Sequence, residues 1–226
     1  MDKDQKKNIA YSIAKAGLGL IPIAGAAASE LLQLLVTPPL EKRREKWMEE
    51  IGNKIRNLES NHQVDLESLQ NNQIFLDVVL QTTQQALKTS QKEKLDYYKN
   101  AILNTAIGEH PEISEIQIFL NLISDYTVWH VKILKLFDNP TDWFKRYSLS
   151  TPNFISADLS SVLEIAFPEL KDKRDFCNLI WDDLHRSGLH NSGNLQAMIS
   201  GSGLMVSRTS EFGKKFLRFI TDKSYN

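Results

Sequence analysis

The stretch EISEIQIFLNLISDYTVWHVKILKLF, residues 112–137, decides how this chain is read. Ile116, Leu120 and Ile123 recur at steps of four and three, which puts their side chains on one face of an α-helix. Pro111 stands where a helix can open, and Asn139-Pro140 stands where one must end. TVWHVKILKLF either continues the first helix or begins a second at Thr127.

The same period runs upstream. In LEKRREKWMEEIGNKIRNLE, residues 40–59, Leu40, Arg44, Trp47, Ile51, Ile55 and Leu58 form an amphipathic stripe with one charged interruption. Glu50 and Lys54 form a favourable i, i+4 pair on another face. Asp65 can cap a short helix, with Ser68 three positions on. NQIFLDVVLQTTQQALKT follows with Ile74, Val78 and Leu87, and QKEKLDYYKNAILNTAIG with Leu95, Tyr98, Ile102 and Ala106. Gly108 is placed as a C-terminal cap. Residues 40–137 are therefore expected to form an antiparallel bundle of about five helices with short connections. Residues 141–152 hold Pro152, Ser148, Ser150 and Thr151 and make the best boundary, although Trp143, Phe144 and Tyr147 mark them as packed.

Beyond the boundary the pattern changes. ISADLSSVLEIAF predicts a short helix from near Ser156, and Pro168 opens a longer one through Phe176, Leu179, Ile180 and Leu184 to Ser187-Gly188-Leu189. A polar, glycine-rich stretch leads to LMVSR, a β-like run, and then to a closing helix with Phe212, Phe216, Leu217 and Ile220 inward. This order, with Ser210, Gly213 and Phe216 in a closing Ser-x-x-Gly-x-x-Phe motif, resembles the winged-helix fold over roughly 70 residues. There the motif usually carries Thr, and here the first strand, around Phe154-Ile155, is hardly visible. The whole layout is similar to uncharacterised bacterial all-helical families with an apolar N-terminal helix, and that resemblance implies no reaction. The resulting expectation is a mainly α chain in three parts: residues 1–37, an apolar, small-residue-rich helix; residues 38–140, the bundle; and residues 153–226, a winged-helix-like module with a small β-wing.

The N-terminus, MDKDQKKNIAYSIAKAGLGLIPIAGAAASELLQLLVTPP, joins a charged start to an apolar run. Its purest part, Ala16 to Ala28, is 13 residues long, against about 20 needed to span a bilayer. Extension to Val36 would bury Glu30, at roughly 2.5–3.5 kcal/mol for a central carboxylate. A helix buried in the protein or packed on a partner is the simpler reading. Pro22 kinks or splits this segment, and Thr37-Pro38-Pro39 is expected to break it from the bundle. Small residues permit close helix approach, so Gly17, Ala24, Gly25, Ala28 and Ser29 are the candidate packing residues. Lys42, Arg43 and Arg44, directly after the apolar run, are candidate contacts for an anionic surface.

Composition narrows the function classes. The 226 residues carry 27 basic and 28 acidic side chains, a net charge of −1, so no global field attracts nucleic acid. The expected reading helix of the module sets Lys171, Lys173, Arg174 and Arg186 against Glu169, Asp172, Asp175, Asp182 and Asp183, a poor match to phosphates. One cysteine, Cys177, permits no internal disulfide and fits a reducing, cytoplasmic setting. Cys177, His185 and His190 follow no standard zinc spacing, and Cys177 lies among apolar residues like a small core hydrophobe. Asp182, Asp183 and His185 are one and two positions apart, too close in sequence to converge on one helix face. His130 beside Trp129 reads as a structural pair. No phosphate-binding loop, dinucleotide fingerprint, serine elbow or HExxH occurs.

The expected function is that of a non-enzymatic helical interaction protein, without cofactor or metal. Its apolar N-terminal helix would dock on a membrane, at the cytoplasmic face, or on a protein partner, a second copy included. No small-molecule substrate is indicated. The rivals are a winged-helix DNA-binding regulator that dimerises through its helical part, and a membrane-permeabilising effector.

Overall fold

The computed structural model describes residues 26–222. These residues form eleven α-helices, one 3-10 turn and a two-stranded antiparallel ribbon. Contacts gather the chain into two units, residues 1–53 and residues 54–226.

Helix α1, Ala26–Ser60, starts in the first unit. It does not stop at Thr37-Pro38-Pro39, where a break was expected. A proline inside a helix removes its own hydrogen bond and crowds the carbonyl four residues back, at about 3 kcal/mol. The flanks, Glu30-Leu31-Leu32-Gln33-Leu34-Leu35 and Leu40-Glu41-Lys42-Arg43-Arg44-Glu45, are strong helix formers, and they carry the helix past the two missing bonds. Of the expected stripe in this unit, Trp47 and Ile51 are buried, Leu40 is half-buried and Arg44 is exposed.

In the second unit the helix boundaries follow local chemistry. Leu58 is buried near the end of α1. Asp65 caps α2, Leu66–Asn71, and its carboxylate accepts the Ser68 N–H at 2.8 Å. Asn72 accepts the Phe75 N–H at 3.1 Å and starts α3, Gln73–Ala86. Helix α4, Lys92–Ala106, runs out into Gly108, whose φ of +77° is the left-handed turn that glycine tolerates. Glu112 and Glu115 form a reciprocal capping box on α5, Ile113–Asp125. A second box at Thr127 begins α6, Val128–Asp138, so residues 112–137 hold two helices rather than one. Asn139 then caps α7, Pro140–Arg146, with Pro140 in its first turn.

The C-terminal third continues with β1, Ser156–Ala157, α8, Leu159–Ala166, and the 3-10 turn Pro168–Leu170. Helix α9, Arg174–Arg186, β2, Ile199–Ser200, α10, Gly201–Leu204, and α11, Glu211–Phe219, complete it. Ser156 pairs with Ser200 and Ala157 with Ile199. Three expectations are corrected here. The short helix starts at Leu159, because Asp158 accepts the Ser161 N–H at 2.8 Å and Ser156 is already in the ribbon. Pro168 opens only a 3-10 turn, since Asp172 at φ +64° breaks the path before α9 begins. LMVSR is not a strand: Leu204 ends α10, and the extended pairing nearby is a single bridge between His190 and Thr209.

Helix α6 packs against α7, α8, α9 and α11. Val131, Ile133, Leu134, Leu136 and Phe137 are all buried on it. Phe137 meets the Trp181 ring of α9 edge-on at 5.0 Å. Phe119 of α5 lies 4.9, 5.3 and 6.0 Å from the rings of Phe212, Phe216 and Phe219 of α11. The end of α11 is held by α4: the buried Asn104 amide donates to the carbonyls of Arg218, Phe219 and Thr221 at 3.1, 2.9 and 2.9 Å. The residues of the Ser-x-x-Gly-x-x-Phe motif each have a structural task. Ser210 Oγ accepts the Gly213 N–H at 2.9 Å and donates to the Gly188 carbonyl at 2.6 Å. A Cβ on Gly213 would collide with the Leu189 carbonyl, so only glycine lets α11 come this close.

Candidate functional site

The expected N-terminal site divides at the edge of the described residues. Gly17, Ala24 and Gly25 lie outside them. Ala28 and Ser29 fall in the first turn of α1. Lys42, Arg43 and Arg44 are consecutive and exposed on α1, and Leu35, about two turns before them, is 63% exposed. Among the described residues, no helix is long and apolar enough to cross a membrane.

Of the titratable residues singled out in the sequence, His130, His190 and Asp183 are occupied by structural bonds. His130 is 6% exposed and stacks on Tyr126 at 4.3 Å. Its Nδ1 accepts the Thr127 N–H at 3.1 Å, so Nε2 carries the proton and faces Asp183 Oδ2 at 3.3 Å. Burial holds the imidazole below its ordinary pKa, against the opposing pull of Asp183. Asp183 is also paired with Arg186. His190 is 1% exposed, and its Nε2 donates to the Trp181 carbonyl at 2.9 Å while Nδ1 accepts the Ser192 N–H at 3.2 Å. Burial lowers its pKa as well. The Cys177 thiol is buried and pushed up by that burial, the setting of an inert core thiol rather than a nucleophile. Cys177, His185 and His190 do not come together as a metal site, and among the described residues no group of three potential metal ligands does. Asp182, Asp183 and His185 do not converge either, since Asp183 turns to His130 of α6.

Two features were missed in the sequence. The first is apolar side chains left exposed beside the ribbon: Ile155 at 97%, Met198 at 68%, Val206 at 54% and Phe154 at 39%. The second is an open groove of about 630 Å³ whose lining comes from α4, α6, α7 and the segments after α8 and α11. Its aromatic wall is Tyr97, Trp143, Tyr147 and Phe167. The Trp143 ring lies 4.4 Å from Tyr147 and 5.3 Å from Phe167. Lys132 and Lys135, one turn apart on α6, supply its cations. The Lys135 ammonium stands 5.6 Å from the Tyr97 ring centre. Burial lowers its pKa, and Arg146 lowers it further. Burial likewise pushes the Tyr97 hydroxyl up to about 12. The aromatic content of residues 143–147 was the one available signal, and it was read as packing alone.

No family model matches the chain, and no curated protein or solved structure is significantly similar to it.

Proposed function

We propose that this chain is a non-enzymatic helical interaction protein whose apolar N-terminal segment docks on an anionic membrane surface at the cytoplasmic face. The observation that carries this reading is the exposure of Lys42, Arg43 and Arg44 on the same helix that holds the end of the apolar run, with Leu35 exposed before them. A basic cluster at this position adds about 1 kcal/mol of attraction per residue to an anionic leaflet. The apolar residues supply the area that enters the interface. Ala24, Gly25, Ala28 and Ser29 would then pack helix on helix, with a protein partner or a second copy.

The finer architecture we propose is an antiparallel bundle through residues 38–140 and a winged-helix-like contact module through residues 153–226. The two ribbon strands, which flank α8 and α9 in sequence, and the tight Ser210–Gly213 closure support it. Protein rather than DNA is the expected partner of that module, because α9 carries two arginines against three aspartates.

Vesicle co-sedimentation tests the reading. The full chain should pellet with vesicles containing anionic lipid and less with neutral ones. Replacing Lys42, Arg43 and Arg44 together by Gln should weaken anionic binding about a hundredfold, the sum of three such contributions. Equal binding of both proteins, or no binding to either vesicle, overturns it.

A further inference from the structure

We propose that the groove beside α6 binds an aromatic monocarboxylate, with its ring between the aromatic side chains and its carboxylate on Lys135. Four observations define this ligand. The groove, at about 630 Å³, lies within the range of small-molecule sites and has room for a compact, one- or two-ring molecule. Its wall is built of π-faces, and the Trp143, Tyr147 and Phe167 rings at 4.4 and 5.3 Å already show the tilted contacts that another ring can join.

The third observation is charge. Lys135 is half-buried against the Tyr97 ring, makes no ion pair among the described residues, and feels the like charge of Arg146. Arg146 itself is held by Asp142 at 2.8 Å. A desolvated cation with no anion is costly, and a carboxylate in the groove removes that cost. Lys132, the second cation of the lining, sits closer to its own ring, over Trp129 at 4.9 Å, than Lys135 does to Tyr97.

The fourth observation sets the ligand's charge at one. Glu93 and Asp222 line the groove as exposed residues, and Asp96 is engaged by Lys99 at 2.7 Å. Fixed negative charge along the lining repels a dianion such as a phosphate monoester more than a monoanion. Of the two ammoniums in the lining, Lys132 lies over the Trp129 ring, so Lys135, with carboxylates in the same lining, selects a single carboxylate on a flat apolar body.

Isothermal titration of the full chain with 2-naphthoate tests the proposal, with 2-naphthylmethanol as the neutral probe and phenyl phosphate as the dianion. Naphthoate should bind saturably at one site, at least about tenfold tighter than the alcohol, the margin of one charge-assisted contact. Phenyl phosphate should bind more weakly than naphthoate. Lys135→Met should erase the preference for naphthoate over the alcohol while the melting curve stays cooperative. Tyr147→Ala, at a position 55% exposed, should weaken both aromatic probes several-fold without unfolding the protein. If Lys135→Met fails to fold, the naphthoate-to-alcohol ratio on the natural chain and the Tyr147→Ala result decide. The proposal is overturned by absence of saturable naphthoate binding at millimolar ligand, by equal affinity for acid and alcohol, or by a Tyr147→Ala protein that binds unchanged.

Discussion

Helices α1 and α6 make opposite uses of their sequences. Helix α6 has 11 residues, and six of them, His130 included, are buried. Helix α1 has 35, yet from Leu35 to Ser60 only Trp47, Ile51 and Leu58 are buried. Residues 35–60 of α1 are amphipathic around a narrow stripe, and charged side chains cover the rest. Helix α6 has neighbours on several sides, so its polar positions are forced into specific company: His130 with Asp183, Lys135 with Tyr97. The difference teaches that polar groups in this fold are desolvated where packing is dense, and that apolar and basic side chains stay exposed where it is sparse. Substitutions in the two regions should therefore separate stability from binding.

The largest effect is expected in the dense region. Phe119 is fully buried and touches three rings of α11. Phe119→Ala should cost about 3–5 kcal/mol, read as a lower urea midpoint. A loss below about 1 kcal/mol would show that α5 and α11 do not share a core.

A smaller loss is expected at Asn104, whose amide satisfies three carbonyls at the end of α11. Asn104→Leu keeps the volume and removes the side-chain donor from those carbonyls, of which, among the described residues, only that of Arg218 keeps a backbone N–H, at about 1–3 kcal/mol. Amide hydrogen exchange should rise first in residues 216–221. Unchanged protection there would contradict the capping role.

Acidification should act on the same dense region. His130 and His190 are held below the ordinary histidine value of 6.5 by burial. Below that value the unfolded chain binds protons that the folded chain refuses, so unfolding takes up protons and stability falls with pH. The stability is fully present above 6.5 and is lost as pH drops toward the lowered folded values. Urea midpoints from about pH 7.5 to about pH 5 should decline. A midpoint that rises on acidification would refute the neutral assignment of both rings.

Much of the fold was legible because it is written in adjacent residues. Asp65 with Ser68, Gly108, Asn139-Pro140 and Ser210 with Gly213 are local devices, and each sits where its spacing predicts. The errors arose where a local signal was outweighed. Pro38-Pro39 is a breaker by propensity, yet the helix formers on both sides carry α1 through it. Pro168 is a helix opener by propensity, yet the left-handed turn at Asp172 delays α9. The groove was legible only as the aromatic content of residues 143–147, which reads equally as packing. Its lining spans residues 93–222, and in sequence Lys135 looks like an ordinary solvated lysine on the polar face of α6. Only the approach of Tyr97, 38 positions earlier in the chain, makes it a desolvated cation.

The smallest effect on stability belongs to α1, and there the contrast between the two regions is sharpest. Leu35 is 63% exposed, so Leu35→Gln removes little buried area. It also exchanges one good helix former for another. The melting midpoint should stay within about 0.5 kcal/mol of the natural chain. Binding should respond differently. If Leu35 enters the membrane interface beside Lys42, Arg43 and Arg44, its side chain transfers about 1.5–3 kcal/mol of apolar free energy, and losing that weakens vesicle binding by about tenfold or more. Added salt should not rescue or deepen this loss, because the apolar part is unscreened, whereas binding lost on replacing the three basic residues is electrostatic and fades with ionic strength. A Leu35→Gln protein that melts early would place Leu35 in a packed contact, and one that melts and binds as before would remove α1 from the docking surface.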